Sequence, residues 1–134
     1  MDLQLNNLQL NDTHHRIALV GRAMSDSRWD EVFDAVSPDV VAHVPAVGTI
    51  RGIDALAGFL LETAEKTDDG EHIELLDTLV GETHAALYFR ITATRPGRQP
   101  LDNLTVHLAR LEEGTITEIW FHNFDGPAVA DFWA

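Results

Sequence analysis

The chain has 134 residues, 45% of them hydrophobic and 23% charged, which is enough for one globular domain with a core of its own. Its 9 basic and 22 acidic residues give a formal charge of −13, spread along the chain, which argues against nucleic acid as a partner because phosphate binding relies on Lys and Arg. With 0 cysteines, disulfides and thiolate metal sites are excluded, and a reducing, cytoplasmic location is expected.

The N-terminus has neither a basic nor an apolar leader region, and no apolar run approaches membrane-spanning length, so no membrane partner is expected. Residues 1–11 are polar and read as a flexible N-terminal arm, leaving 12–134 as a single domain. Asp12 or Thr13 can cap a first helix through Ile17, Leu19 and Val20 to about Met24. Ser27 with Asp30 resembles a capping box for a second helix, Arg28 to Val36, with Trp29, Val32, Phe33 and Val36 as its apolar stripe. Ser37-Pro38-Asp39 closes that helix, Val40–Val44 reads as a strand, and Pro45 to Gly52 is rich in turn residues. Asp54 can cap a third helix through Lys66, with Leu56, Phe59, Leu60 and Thr63 on one side. Three strands follow, roughly His72–Val80, Thr83–Thr94 and Leu101–Leu111, and then a last strand to Asp125. Helices first and an antiparallel meander afterwards predict an α+β domain with helices packed on one face of a curved sheet.

The last two strands form a hairpin around Glu112-Glu113-Gly114. A two-residue Glu-Gly turn would force Glu113 to positive φ, which a side chain with a Cβ disfavours. A three-residue loop instead puts only Gly114 in the left-handed region, with Leu111 opposite Thr115, His107 opposite Ile119 and Asn103 opposite Asn123. Alternation then places Asn103, Thr105, His107, Ile119, Phe121, Asn123 and Asp125 on one face. Leu104, Val106, Leu108, Ile116, Trp120 and Phe124 take the other. By hydrophobicity alone the second face meets the helices.

His43-Val-Pro45 leading to Gly52-Ile-Asp-Ala-Leu56, Gly114-Thr-Ile-Thr-Glu-Ile-Trp120 and the closing Asp125 resemble the SnoaL-like polyketide cyclases and ketosteroid isomerases of the nuclear-transport-factor-2-like superfamily. The resemblance implies a cone-shaped curved antiparallel (mixed) sheet, three helices from the N-terminal half enclosing an apolar pocket, and a homodimer through the sheet's outer face. It reverses the hydrophobicity argument: the polar hairpin face lines the pocket, and Leu104, Val106, Leu108 and Trp120 meet a second subunit. By position, His43 falls where the isomerases place their general base, and His107 where they place the acid that bonds the substrate oxygen. Both positions hold histidine, so the isomerase pair of aspartates is absent.

Two pocket imidazoles with Asp125 on the same face suit general acid–base chemistry near neutral pH. The resemblance and the residue chemistry together imply a cyclase- or isomerase-type enzyme without cofactor, acting on an apolar polyketide-like or terpenoid substrate. The steps open to it are proton abstraction beside a carbonyl and epoxide opening. Its expected catalytic residues are His43, His107 and Asp125, with Trp29, Phe33, Phe59, Tyr88, Phe121 and Asn123 around the substrate. A non-catalytic protein binding a hydrophobic ligand in the same pocket is the alternative. Two His and a carboxylate also make up a metal triad in number, but no His-x-His or Glu-x-x-His spacing supports one, and no metal is expected.

Overall fold

In Ala85-Ala-Leu-Tyr-Phe-Arg-Ile-Thr-Ala93 every second residue is apolar, so an extended chain here has one face to bury. In the computed structural model, which describes residues 3–134 with side chains from Leu10 onward, Ala85, Leu87, Phe89, Ile91 and Ala93 are all buried. This strand anchors the domain. The elements are α1 (Leu3–Ser25), α2 (Trp29–Asp34), β1 (Val36–Val44), β2 (Gly48–Arg51), α3 (Ile53–Glu65), β3 (His72–Val80), β4 (His84–Ala93), β5 (Leu101–Glu112), β6 (Thr115–Asn123) and α4 (Gly126–Trp133). The strands form a single sheet in the order β2-β1-β6-β5-β4-β3. Its neighbours run antiparallel except β1 and β6, which are parallel.

The sheet bends where its ladders are interrupted: between Val36 and Val41 in β1, Leu75 and Asp77 in β3, and opposite Arg110 and Leu111 in β6. Each extra residue adds local twist, which curls the sheet around one concave face. That face meets the helices. Ile17, Val20 and Ala23 of α1 fall three residues apart and are buried in one cluster with Leu87, Phe89 and Ile91 of β4. Gly21 sits at the closest approach, since a Cβ there would lie 2.9 Å from both Leu75 methyl carbons. Beside the β3 bulge, the Leu75 N–H donates to Ser25 Oγ at 3.1 Å. Thus α1 lies over β3 and β4, while α3, with Leu56 buried, lies over β1 and β2. At the other end, α4 seats Phe132 on Ala93 and Leu101, and Arg95 donates to the Phe132 carbonyl at 2.6 Å.

The α+β class, the curved mixed sheet and the three helices of the N-terminal half are as the sequence predicts. Several boundaries differ. The first helix begins at Leu3, where the sequence suggests a loose arm up to residue 11; Met1 and Asp2 lie outside the described residues. α2 stops at Asp34, so Val36 to Asp39 joins the irregular start of β1 rather than ending a helix. Ser27 holds a positive φ of 58° and does not cap α2, whose N-cap is Arg28. The N-cap of α3 is Gly52 at φ 91°, a left-handed conformation open to glycine, with Asp54 inside the first turn. β2 and α4 are additions, the former in a segment whose turn residues mask its strand and the latter in the last residues of the chain.

Candidate active site

The hairpin is built differently from the expectation but presents the same face beyond its bulge; Ile116, before the bulge and opposite Leu111, is buried on the inner face rather than placed on the outer one. Glu112 pairs with Thr115, so the turn is the two-residue Glu113-Gly114, at φ 51° and 79°. Such a turn shifts the pairing by one residue and by itself sets His107 opposite Trp120. One extra residue in β6, Thr117, then restores the phase, because Leu111 pairs with Ile116 but Arg110 pairs with Glu118. His107 therefore faces Phe121 instead of Ile119, and Asn123 faces Thr105 instead of Asn103. Two departures cancel in parity, and parity decides the face.

The face with polar side chains is the inner one. Asn103, Thr105, Ala109 and Leu111 are buried, whereas Leu104, Val106, Leu108 and Trp120 on the outer face are only half-buried. Because α1 covers β3 and β4 and α3 covers β1 and β2, half-buried His107, Ile119, Phe121 and Asn123 line a concave strip between them. The His107 ring stacks on Phe121 (centroids 4.2 Å apart, planes 10° from parallel) and meets Phe89 edge-on at 5.3 Å. Burial, seconded by the charge of nearby His122, lowers its pKa from 6.5 to about 4, so the imidazole is neutral at pH 7. Among the described residues, His107 makes no side-chain hydrogen bond. Further along the strip Asn103 Nδ2 donates to Asn123 Oδ1 at 3.0 Å, and Thr105 Oγ1 donates to the His122 carbonyl at 3.0 Å.

His43 is not part of this strip. Ala42 pairs with Ile119 and is fully buried on the inner face, so His43, beside Trp120, must point outward. There it stacks on Trp120 at 5.5 Å, its Nε2 is 2.6 Å from Glu118 Oε2, and its Nδ1 is 3.3 Å from Thr49 Oγ1. The expected pair of imidazoles across one pocket is thus split between the two faces of the sheet. Asp125 also departs from the expectation: it is exposed, and its Oδ1 accepts the Ala128 N–H at 3.1 Å as the N-cap of α4, a helix whose first turn contains Pro127. Tyr88 pairs with Val106 on the outer face, so it cannot line the inner strip.

Of the remaining expected substrate contacts, Phe121 and Asn123 share His107's strip. Trp29 and Phe33 sit on α2 with ring centroids 6.2 Å apart, and Phe59 is half-buried on α3. One inner group escaped the sequence reading. Glu71 is half-buried just before β3, and burial raises its carboxyl pKa, opposed by a hydrogen bond from Thr63 Oγ1 at 3.4 Å. Its signal was phase, since inward-facing Ile73 and Leu75 have the same parity.

Two clefts lie elsewhere. One of about 260 Å³ runs between Arg16 and Val20 of α1, Asp34 of α2 and Gly114; another of about 370 Å³ is bordered by His72, Thr92 and Pro100. Neither contains His107. Among the described residues no group of three or more His, Cys, Asp or Glu side chains could hold a metal ion, and no helix is long and apolar enough to cross a membrane.

Comparison with known proteins fits this architecture. The model of the SnoaL-like domain matches residues 18–119. The chain belongs to the SnoaL-like family. Its fold is similar to Bal32a from a soil-derived mobile gene cassette, at 17% identity and TM-score 0.84 over 94% of this chain and 99% of that one. It is also similar to a cystatin-like-fold protein of unknown function from Xanthomonas campestris, at 23% identity and TM-score 0.82 over 91% and 98%. A third similar structure, from Jannaschia sp. CCS1, is of a candidate SnoaL-like polyketide cyclase, at 17% identity and TM-score 0.71 over 95% and 93%. No match is found among the curated proteins. Family membership accounts for the cyclase/isomerase-type scaffold, and His107 and its neighbours are what this SnoaL-like chain itself places in the concave strip.

Proposed function

We propose that this SnoaL-like protein is a cofactor-free enzyme of the cyclase or isomerase type, which binds an apolar polyketide-like or terpenoid molecule on the strip around His107. The observation that carries this reading is His107 itself, an imidazole held between aromatic rings, kept neutral by burial and without a hydrogen-bonding partner among the described residues. A base with a pKa of about 4 is a weak proton acceptor near neutral pH. A neutral imidazole can still donate its N–H. Donated to a substrate carbonyl whose carbon is attacked by a nucleophilic carbon of the same molecule, that bond strengthens as the C=O π electrons move onto the oxygen, in a site of low dielectric. His107 thus takes the donor role, and His43, across the sheet, has no part in the chemistry. The outer face, with Leu104, Val106, Leu108 and Trp120, pairs with a second copy of the chain.

A non-catalytic binder is the second reading, favoured by one observation: among the described residues, no carboxylate or second imidazole is hydrogen-bonded to His107 to move a proton for it. Native mass spectrometry of the purified protein, followed by incubation of any released ligand with wild type and His107→Phe, separates the two. The enzyme reading expects a bound hydrophobic small molecule, or product derived from it, and a loss of about 10²–10³-fold in turnover for His107→Phe, the usual effect of removing one oxyanion donor. Wild-type turnover in that variant overturns the catalytic role. A ligand recovered unchanged, with no turnover by either protein, identifies a binder.

A further inference from the structure

Asn103 is 6% exposed, and its Oδ1 has no hydrogen-bond partner although its Nδ2 is committed to Asn123. Around it the inner face offers little help. Ile91, its partner across β4, is apolar, Leu101 is apolar, and the Thr105 hydroxyl is spent on the His122 carbonyl. A buried acceptor left in this state is costly, and native proteins seldom tolerate one without a reason. Asn103 Oδ1 is the one buried side-chain polar atom without a partner among the described residues. It occurs on the same face of the same strand as His107, the imidazole that also lacks a protein partner.

We infer that the Asn103–Asn123 amide pair reads a hydrogen-bond donor on the ligand, so that the molecule bound on the strip carries a hydroxyl or N–H at the end remote from the oxygen that meets His107. This rests on the function proposed above for the strip around His107 and sharpens it. His107 and Asn103 are separated by four residues of β5, about 13 Å at roughly 3.3 Å per residue. Asn123 follows Phe121 by two residues, about 7 Å, so the amides approach His107 from that side. The preferred ligand is therefore elongated and largely apolar, with a carbonyl toward one end and a donor toward the other. The stacked pair of His107 and Phe121, already in contact with each other, favours a flat ring system laid against it. A ligand lacking the donor would leave Asn103 Oδ1 buried and unpaired, which is how a site built around a polar group discriminates against an analogue without it.

The test uses 4′-hydroxyflavone and 4′-methoxyflavone, flat probes that share a carbonyl and differ in the donor. Isothermal titration of the full chain is expected to show the hydroxyl probe binding about tenfold more tightly, the equivalent of one buried hydrogen bond. Asn103→Leu is expected to erase that preference while keeping affinity for the methoxy probe. Should Asn103→Leu fail to fold, the side-chain amide resonances of Asn103 in wild type give the same answer, shifting with the hydroxyl probe and not with its ether. Equal affinities for wild type, a preference that survives in Asn103→Leu, or an Asn103 amide indifferent to the hydroxyl overturns the inference. Binding of neither probe, or unchanged binding of both by His107→Phe, overturns the reading of the His107 strip as the binding site.

Discussion

His107 stands apart from the other histidines because burial moves its pKa down, from 6.5 to about 4, while the unfolded chain keeps the ordinary value. Between these pH values the unfolded state binds the proton that the folded state refuses. Stability from this residue is therefore fully present above pH 6.5 and is lost as the pH falls toward 4, by at most about 3 kcal/mol at 1.36 kcal/mol per pKa unit. Glu71 acts with the opposite sign. Its raised pKa makes the folded state hold a proton more tightly, so its cost appears as the pH rises through that value. Urea unfolding of wild type and His107→Phe at pH 7 and pH 5 isolates the first effect. Wild type should lose more stability on acidification than the variant, and parallel losses would show that the imidazole is not held neutral. The same neutrality implies that turnover has no inflection from His107 between pH 5.5 and 8, roughly.

The hairpin of β5 and β6 shows how much at the element scale was legible and where legibility stopped. Alternation marked β3, β4 and β5 to within a residue or two, and it put His107, Phe121 and Asn123 on one face, because an uninterrupted strand carries its phase in its side chains. A bulge has no such signature. Nothing about Thr117 distinguishes it from any strand threonine, so the compensation between a two-residue turn and one extra residue could not be read in advance. The same limit hid the phase of β1: its ladder to β6 is irregular between Val36 and Val41, and only Val40 and Ala42 on the inside reveal that His43 points out. α4 was missed although Asp125 before Gly126-Pro127 is a capping signal, because the carboxylate was assigned to chemistry. The turn makes its own prediction. Glu113 sits at φ 51°, a region that asparagine enters more readily. Glu113→Asn is expected to stabilise the fold by about 0.5 kcal/mol, in line with other backbone-relieving changes, seen as a higher urea midpoint at unchanged slope. A lower midpoint would mean that Glu113 contributes a contact worth more than its strain.

For the whole molecule, the sheet turns the sidedness suggested by hydrophobicity inside out: Asn103, Thr105 and His107 face the helices, and Leu104, Val106, Leu108 and Trp120 face away. This half-exposed apolar face is the one that the proposed second copy would cover. A second copy laid face to face supplies the same groups in return, as a two-fold contact requires. Polar groups on this face surround the apolar strip: the His43–Glu118 pair at one side, and Arg90 bonded to Asp102 through both carboxylate oxygens at the other. Against association stands the formal charge of −13 on each chain. Two such chains repel at low ionic strength, and salt screens the repulsion over a Debye length of about 8 Å at physiological strength. Light scattering coupled to gel filtration should therefore find twice the chain mass at about 150 mM salt, with more monomer as salt is removed. Trp120→Glu, which sets a carboxylate on the outer apolar face beside Glu118, should give a folded monomer in both conditions. Its far-ultraviolet dichroism should match wild type, since Trp120 lies outside the inner core. A wild-type monomer at every salt concentration would leave the outer face without a partner and would place the second copy, if any, on another surface.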